Sequence, residues 1–599
     1  MDKKTTLGFI LIGVVLIVWM WLQAPPPGQQ RLDVVDSLTA SKTAARETFW
    51  SEEALPPRES IPLSEVRDST GTYFSHLISG EEKVLIVKTD LYTAEVTTKG
   101  GLIRKWELQK YNTWDDYKVN LVDLTRGGSF SLLFQSSDGK LINTSNLLFE
   151  SDFENWKTVE LKDDQIFSVD LVLRISDDQR IVKHLTFTNG KYSFDAEIEF
   201  RYVETVISNF EYQVTWENGL RYAEHNSVDE SDFAMAYAYS GGELVELDAT
   251  DTGKSVTRDI GGATDWVAVR NKYFAVAIMP DAGTSEGAYM EGMRLSLPDG
   301  GAKENYSVSL KMPFIGSALE SARFTVFLGP LDLNVLKAYE RDLDQIMSLG
   351  WAWIIRPISA YLLIPLFNLL GSFIPNFGFV IIVFSVIIKI ALHPLSKTSM
   401  KSMKRMQALQ PYMNEIRAKY KDDPQKMNKQ VMNLYKEYGV NPAAGCLPLL
   451  LQMPILFALF TVFRSAIELR QAGFIWWIND LSIPDTLFTL PFTLPFFGIS
   501  HVSGLALAMG ITMFMQQKMT VTDPRQKAMV WMMPIMLTLL FNSFPSGLNL
   551  YYFMFNLLSI GQQAWINKHH GSEPLRKVDQ KKKSTGLLAQ LSKHVPKTR

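Results

Sequence analysis

The sequence predicts a polytopic α-helical membrane protein with six transmembrane helices and a large all-β domain on the exported side of the membrane. Apolar residues are concentrated at the N-terminus and beyond about residue 350, whereas residues 25–345 have the composition of a soluble protein. Short alternating strands and turn residues dominate that soluble part. Long apolar runs and basic loops alternate in the C-terminal part, as in a protein that crosses the membrane several times.

Length and cysteine content set the first limits. The chain has 599 residues, which is long enough for several domains. Its formal net charge is −3. Its single cysteine, Cys446, excludes intrachain disulfides. An exported domain must therefore be stable through its hydrophobic core alone.

Residues 1–24 are predicted to be an N-terminal transmembrane anchor. Lys3 and Lys4 precede an apolar run that ends in bulky residues such as Trp19 and Trp21. A cleaved signal peptide, the alternative, needs small residues at that place. The two lysines keep the N-terminus in the cytoplasm, so the chain that follows is exported. Residues 25–80 begin with three prolines and are predicted to be a flexible linker.

Residues 81–330 are predicted to form a large β-sandwich, because apolar and polar residues alternate in short segments between turn signals such as Asn189-Gly190. The clearest expected strands are 84–87, 92–98, 181–188, 192–202, 274–279 and 322–327.

This β-domain offers little chemistry. His184 and His225 are isolated in the sequence, and the Gly-Lys-Ser at 253–255 lacks the first glycine of a phosphate-binding loop. The alternating carboxylates Asp195, Glu197 and Glu199 indicate a solvated strand face. We expect a structural or interaction domain without catalytic residues, metal or cofactor.

Residues 331–372 are predicted to approach the membrane from the exported side. Apolar residues in 333–348 recur at amphipathic spacing, and Trp351 and Trp353 follow, which indicates a helix along the membrane surface. Packing of that helix on the β-domain is the alternative. The apolar run 354–370 is long enough to suggest another span, but Pro357 and Pro365 interrupt it, so we expect an approach along the membrane surface instead.

Residues 373–567 are predicted to contain five transmembrane helices and a basic cytoplasmic hairpin, residues 395–440, whose second helix begins at Pro424. The expected spans are 377–392, 446–463, 499–517, 528–544 and 548–566. Methionines recur along the hairpin, either as a self-packed seam or as an adaptable surface for anionic lipid or passing polypeptide. They are Met400, Met403, Met406, Met413 and Met427.

Basic residues set the predicted orientation, with both termini in the cytoplasm. The N-terminus, the hairpin, the loop 518–527 and the tail 568–599 are all basic, and six spans place them on the same side. The tail is also suited to attract anionic surfaces or RNA.

Polar residues inside the predicted spans are the candidates for function. Lys389 is the only charge in its span, and a lysine within a membrane needs a partner, water or a route to the interface. Several polar residues of the last span share one face. We expect a hydrated groove, with interhelical hydrogen bonds and snorkelling of Lys389 as alternatives. The polar candidates are Lys389, Ser385, Gln452, Thr538, Asn542, Asn549, Tyr552, Asn556, Ser559 and Gln563.

Several segments resemble the YidC/Oxa/Alb family of membrane protein insertases, and the order of anchor, β-domain and further spans is also similar. The segments are 441–455 (NPAAGCLPLLLQMPI), 467–472 (IELRQA), 516–519 (QQKM), 522–524 (TDP) and 544–548 (FPSGL). The resemblance implies a non-enzymatic insertase and chaperone of the inner membrane, with a periplasmic β-supersandwich and a groove open to cytoplasm and lipid.

The resemblance also implies partners and site residues. Nascent membrane proteins would be the clients, the Sec translocon a partner, and the ribosome a contact of the tail and hairpin, with no role for DNA. Ser385, Phe460 and Tyr552 resemble positions that line the groove or contact clients. Lys389 stands where the family usually has arginine, which keeps the charge but loses the bidentate fork. A transporter, disfavoured by the lack of an internal repeat, and a carbohydrate enzyme in the β-domain are the alternatives.

Overall fold

The computed structural model describes residues 70–569 except 123–127, 282, 441–446, 495–498 and 521–526. The chain divides into two compact units, residues 26–348 and residues 349–599 with 1–25. We call the first the β-unit and the second the helical unit. The predicted anchor, most of the linker, Cys446 and the tail beyond residue 569 lie outside the described residues.

Three sheets build the β-unit, with strand orders β4-β3-β2-β1-β7, β13-β12-β15-β16-β19-β10-β9-β8 and β14-β17-β18-β11-β5-β6. The β1–β7 pair is parallel. The strands are β1 Val84–Lys88, β2 Tyr92–Thr97, β3 Leu102–Asn112, β4 Lys118–Asn120, β5 Ser131–Ser136, β6 Leu141–Asn143, β7 Lys157–Glu160, β8 Ile166–Arg174, β9 Arg180–Thr188, β10 Ser193–Arg201, β11 Ile207–Trp216, β12 Met235–Ser240, β13 Glu243–Leu247, β14 Ser255–Gly261, β15 Thr264–Arg270, β16 Phe274–Pro280, β17 Gly287–Ser296, β18 Ala302–Pro313 and β19 Leu319–Pro330.

The predicted sandwich and its six clearest strands are confirmed, with ends that differ by a few residues. The sheets meet over aromatic side chains. Phe194 of β10 lies 5.9 Å from Trp106 of β3 and 5.5 Å from Phe130 beside β5, measured between ring centroids, so one ring touches all three sheets. This core replaces the disulfides that the sequence lacks.

The outer face of the eight-stranded sheet carries the alternating carboxylates, as predicted. Glu197 pairs with Arg323 at 3.1 Å. His184 is isolated in the sequence but has partners in the fold: its ring nitrogens contact Asp170 at 2.7 Å and Glu199 at 3.2 Å. Partial burial disfavours the charged ring, but the hydrogen bonds to the two carboxylates outweigh it and raise the pKa of His184.

One lysine is fully enclosed in the β-unit. The ammonium of Lys183 donates to the carbonyl oxygens of Gly100, Gly101 and Phe130 at 3.1, 3.0 and 2.8 Å. The rings of Phe130 and Phe149 lie 5.3 and 5.2 Å from the same atom. Burial lowers the pKa of Lys183 to about 7.

We expect this lysine to make the stability of the β-unit depend on pH. Between pH 7 and 10.5 the unfolded chain keeps the Lys183 proton that the folded unit has released. The free energy of unfolding should therefore rise with pH in that window, by up to about 1.4 kcal/mol per pH unit. Denaturation of a fragment of residues 70–348, with and without Lys183→Met, measures the difference. Equal pH profiles would contradict it, and exposed Lys191→Met is the control.

The predicted amphipathic helix over 333–348 is wrong. The chain there forms two short helices, α-helical Leu333–Lys337 and 3₁₀ Leu343–Ile346. Their apolar side chains are buried in the β-unit, where Arg270 donates to the carbonyl oxygen of Ile346 at 2.9 Å. The alternative, packing on the β-domain, is the arrangement observed. The same apolar stripe can pack against a β-sheet or against the membrane surface, so the stripe alone does not distinguish the two.

From residue 227 on, the α-helices of the described residues follow in order, with a two-stranded ribbon, β20 Phe488–Leu494 and β21 Ile499–Val502, between the eighth and the ninth. They are α1 Ser227–Ser231, α2 Leu333–Lys337, α3 Ile355–Phe373, α4 Phe377–Ala391, α5 His393–Ala408, α6 Gln410–Lys419, α7 Pro424–Glu437, α8 Leu447–Ser465, α9 Gly504–Thr520, α10 Lys527–Phe541 and α11 Ser546–His569.

Two prolines do not interrupt α3, contrary to the prediction. Pro357 lies in the first turn, where its missing N–H is not needed. Pro365 comes shortly after a π-helical stretch, Ile358–Leu363. At the end of that stretch the N–H of Ile364 donates to the carbonyl oxygen of Ser359. The wider turn accommodates the proline without breaking the helix.

Length and hydropathy identify few membrane-spanning helices in the described part of the chain. Helix α3 alone is long and apolar enough to span. Helix α4 and residues 396–408 of α5 are long and apolar enough to span only when taken together, and they are bent by 65° relative to each other. The apolar parts of α8 and α10 are shorter than a membrane span requires. The six-span topology stays a prediction.

The predicted span 499–517 begins later than expected. Residues 499–502 form β21, and helix α9 begins at Gly504, where Asp485 accepts from Leu505 N and Ser503 Oγ accepts from Ala506 N. Asp485 is 4% exposed and accepts from Leu505 N at 3.0 Å, Ser503 Oγ at 2.5 Å and Trp477 Nε1 at 2.8 Å. A carboxylate at this end of a helix satisfies amide groups that no intrahelical carbonyl can reach.

The hairpin consists of α5, α6 and α7. Pro424 opens α7 as predicted, and the Asp423 side chain accepts from Lys426 N at 3.0 Å as its cap. Met413 belongs to the buried cluster of the hairpin, and Met406 packs against that cluster, so these two form a self-packed seam. Met400, Met403 and Met427 are half-buried.

Candidate functional site

Lys389 lies in the last turn of α4, within the apolar helix that Asn376 caps at its start. The side chain is 8% exposed. Its ammonium donates to the hydroxyl of Ser559 on α11 at 2.6 Å. The ammonium is thus directed into the helical unit, which does not fit the snorkelling alternative. Ser385, one turn earlier, donates instead to the Ile382 carbonyl oxygen of its own helix at 2.7 Å.

Phe555 is the second contact of the lysine. Its ring centroid lies 4.4 Å from the Lys389 nitrogen. The ring is 7% exposed and lies 5.9 Å from the ring of Tyr551. Tyr551 in turn lies 6.1 Å from Phe384 of α4. A neighbouring ring face attracts a cation without neutralising its charge.

A cavity of about 250 Å³ opens beside the lysine, between α4, the start of α5 and α11. His393 and Gln562 contact each other across it, with their side-chain nitrogens 3.1 Å apart. Its wall is mainly apolar, with a few polar groups, as in a site that holds a hydrocarbon chain bearing one polar group. The lining residues are Val386, Lys389, Ile390, His393, Leu558, Gln562 and Trp565.

The polar stripe of the last span lies on one buried face of α11. Its five members, Asn549, Tyr552, Asn556, Ser559 and Gln563, are each at most 7% exposed. Four of their polar atoms have no hydrogen-bond partner among the described residues: Asn549 Oδ1, Tyr552 OH, Asn556 Nδ2 and Gln563 Oε1. Unpaired buried polar groups cost about 1–3 kcal/mol each, so this face favours water or another polar partner.

Other predicted groove residues connect helices instead. Asn542 accepts from Ser503 N at 2.8 Å and donates to the His501 carbonyl at 2.9 Å. Asn549 donates to the Phe541 carbonyl at 3.0 Å, joining α11 to α10. Interhelical bonding, the alternative from the sequence, describes the Asn549 contact, whereas Asn542 joins the end of α10 to β21 and to the residue before α9.

Thr538 is also engaged locally. Its hydroxyl donates to the Pro534 carbonyl at 2.7 Å, and the side chain packs against Gly510 of α9. Gln452 is half-buried on α8 and is not part of the wall of the cavity beside Lys389.

Phe460 of α8 begins a chain of aromatic contacts. Its ring lies 4.9 Å from Phe544, which is 4.9 Å from Phe541, which is 5.3 Å from Tyr552 of the stripe. Tyr552 and Ser559 are seven residues apart, about 10 Å along the helix axis. The candidates therefore occupy two levels: an aromatic one near Tyr552 and a polar one around Lys389.

Comparison with known proteins assigns the chain to a family. A family described as 60Kd inner membrane protein matches residues 369–573, and one described as YidC periplasmic domain matches residues 85–361. The membrane protein insertase YidC of Chlorobaculum tepidum is 41% identical over 573 residues, which cover 95% of each chain. The chain belongs to the YidC family.

The YidC of Chlorobaculum parvum is 40% identical over 572 residues, 95% of this chain and 94% of the relative. A solved structure of an active YidC insertase with its first transmembrane domain resolved is 21% identical. It covers 82% of this chain and 96% of its own, with a TM-score of 0.34. The two family models thus identify residues 85–361 as a YidC periplasmic domain and residues 369–573 as part of an inner membrane protein.

Sequence reasoning did not single out Phe555, His393, Gln562 or Trp565, which lie beside Lys389. Phe555 is four residues before Ser559, and His393 is four after Lys389, so helical spacing was the available signal. An aromatic residue on an apolar helix is more often part of the hydrophobic core than of a functional site, so Phe555 was not identified as a candidate.

Proposed function

We propose that this chain is a membrane protein insertase and chaperone whose clients enter through the cavity beside Lys389. The relatives that match nearly its whole length are named membrane protein insertases. The proposal needs no covalent chemistry. A client helix carries a polar flank that must cross about 30 Å of hydrocarbon, and a cavity part-way that presents the Lys389 charge and a few polar groups shortens that path.

The single observation that supports the mechanism is the buried, unneutralised charge of Lys389. Among the residues that the structure describes, no carboxylate pairs with it, and its contacts are the neutral Ser559 and Phe555. A buried cation without a counter-ion is costly, so an acidic residue in the client flank would gain by approaching it. The apolar client helix then leaves sideways into lipid.

The unpaired polar atoms of the α11 stripe support a hydrated groove. Water bound there would hydrogen-bond the client's polar flank before the flank crosses. The proposed groove comprises Lys389, Ser385, Gln452, Phe460, Tyr552, Asn556, Ser559 and Gln563. Thr538, Asn542 and Asn549 would hold the surrounding helices in place.

We further propose six transmembrane helices with both termini in the cytoplasm, and residues 25–372 largely in the periplasm. Helix α3 would then lie at the periplasmic membrane surface. Trp351 and Trp353, 67% and 76% exposed, support this, since tryptophan favours the membrane interface. The basic hairpin and tail would face the cytoplasm, where ribosomes and anionic lipids are candidate partners. The Sec translocon is a further candidate partner.

Replacing Lys389 tests the electrostatic step. We expect Lys389→Ala to lower the insertion of single-span clients with acidic flanks about tenfold, and Lys389→Glu to lower it further, because the attraction is lost or reversed. Protease protection of the client in proteoliposomes measures insertion. Lys421→Ala, at an exposed turn of the hairpin, is the control. If both Lys389 variants inserted acidic clients as efficiently as the wild-type protein, the proposal would be wrong.

A further inference from the structure

We propose that Phe555 is a positioning residue, which together with Ser559 fixes the Lys389 ammonium so that one N–H stays available to a client carboxylate. This inference rests on the proposed insertase function and adds a residue that makes the charge effective. It follows from three features of the contact between α4 and α11.

The first feature is the direction of the Ser559 hydroxyl. It donates its only hydrogen to the Phe555 carbonyl oxygen at 2.7 Å. The Ser559 oxygen can therefore only accept, and it accepts from Lys389 at 2.6 Å. This acceptor is neutral, so it orients the ammonium and leaves the charge intact.

The second feature is the fixed ring of Phe555. It faces the ammonium at 4.4 Å and is held by Tyr551, itself packed on Phe384 of the helix that carries the lysine. A desolvated ring face is an effective cation partner. A lysine side chain has four flexible carbon–carbon bonds, and a rigid ring limits where its nitrogen can lie.

The third feature is the number of donors. An ammonium has three N–H groups. Ser559 uses one and the Phe555 ring face attracts another, which leaves one for the adjoining cavity that Lys389 lines. A carboxylate that enters the cavity can bind this N–H while Ser559 and Phe555 keep the nitrogen in place.

Phe555→Met tests the proposal, because it keeps an apolar side chain of similar size and removes the ring face. We expect insertion of acidic-flanked clients to fall about three- to tenfold, with neutral-flanked clients unchanged. Phe555→Tyr retains a ring and should insert acidic-flanked clients as efficiently as the wild-type protein. Phe553→Met, on the same helix, is the matched control and should leave insertion of both clients unchanged.

A double-mutant cycle in full-length protein in proteoliposomes separates positioning from packing. In a Lys389→Ala background, Phe555→Met should have no further effect on acidic clients. An additive effect, or an equal loss for neutral clients, would overturn the proposal for Phe555.

The outcome is separable from that of the proposed function. If Lys389→Ala alone has no effect, the electrostatic step fails. If it has the expected effect and Phe555→Met inserts acidic clients like wild type, only the positioning role fails. Should Phe555→Met not fold, Ser559→Ala replaces it: a loss confined to acidic clients and absent with Lys389→Ala supports the arrangement, and any other result overturns it.

Discussion

Replacing Asp485 by alanine is expected to destabilise the start of α9 by roughly 3 kcal/mol, since buried donors that lose their acceptor cost about 1–3 kcal/mol each. The carboxylate accepts from Leu505 N, Ser503 Oγ and Trp477 Nε1, and alanine leaves all three without it. Water has little access to the Leu505 and Ser503 donors, which are 6% and 0% exposed, whereas Trp477 is exposed and its N–H can turn to solvent. The favourable interaction of the carboxylate with the helix N-terminus is lost as well.

Thermal unfolding of the full-length protein in detergent, together with hydrogen exchange of the amides at 503–507, measures this effect. Asp485→Asn keeps one acceptor oxygen and should be intermediate. Thr486→Ala changes the exposed neighbour and is the control. Unchanged exchange at the start of α9 in Asp485→Ala would show that the carboxylate does not hold this helix end.

Local patterns predicted the elements whose partners are nearby in the sequence. Alternation identified the strands of the β-unit, because one face of each strand is buried and the other is solvated. Pro424 identified the start of α7, since proline fits the first turn of a helix and the preceding Asp423 caps it.

The errors share a physical cause: the sequence shows that a surface is apolar but not what covers it. Residues 333–348 have a stripe that suits a membrane, yet Leu336 and Leu343 are fully buried in the β-unit. Pro365 suggested a break, but the π-helical stretch before it is set by backbone hydrogen bonds that have no sequence signature. Ile499 belongs to a strand because it pairs with Leu494 in a hairpin, and periodicity alone does not distinguish such a short apolar strand from the start of an apolar helix.

The candidate site shows the same division. Spacing placed Asn556, Ser559 and Gln563 on one face of α11, and that face is buried. Spacing within one helix suggested Ser385 as the companion of Lys389, but the partner is Ser559, 170 residues away along the chain. The alignment of α4 with α11 decides this pairing, and it depends on the packing of helices that only the fold supplies.

Gly510→Ala is expected to destabilise the packing of α9 on α10 by about 1–3 kcal/mol, the usual cost of overpacking an interior. A β-carbon on Gly510 would overlap the Thr538 hydroxyl. Thr538 cannot turn away freely, because that hydroxyl donates to the Pro534 carbonyl of its own helix. Small residues let membrane helices approach closely, and this close approach supplies much of the packing energy between them. Adding one carbon atom at Gly510 should therefore weaken the whole contact between α9 and α10.

A compensating change makes the prediction specific. Thr538→Ala removes the overlapping oxygen, so Gly510→Ala combined with Thr538→Ala should recover most of the lost thermal stability of the full-length protein in detergent. Gly561→Ala in α11 is the control, because a β-carbon there meets no atom within 4 Å and alanine favours the helix. If Gly510→Ala were as stable as Gly561→Ala, or if Thr538→Ala gave no recovery, the two helices would not be in the close contact described. Recovery would assign Thr538 to helix packing and leave the groove to Lys389 and the stripe of α11.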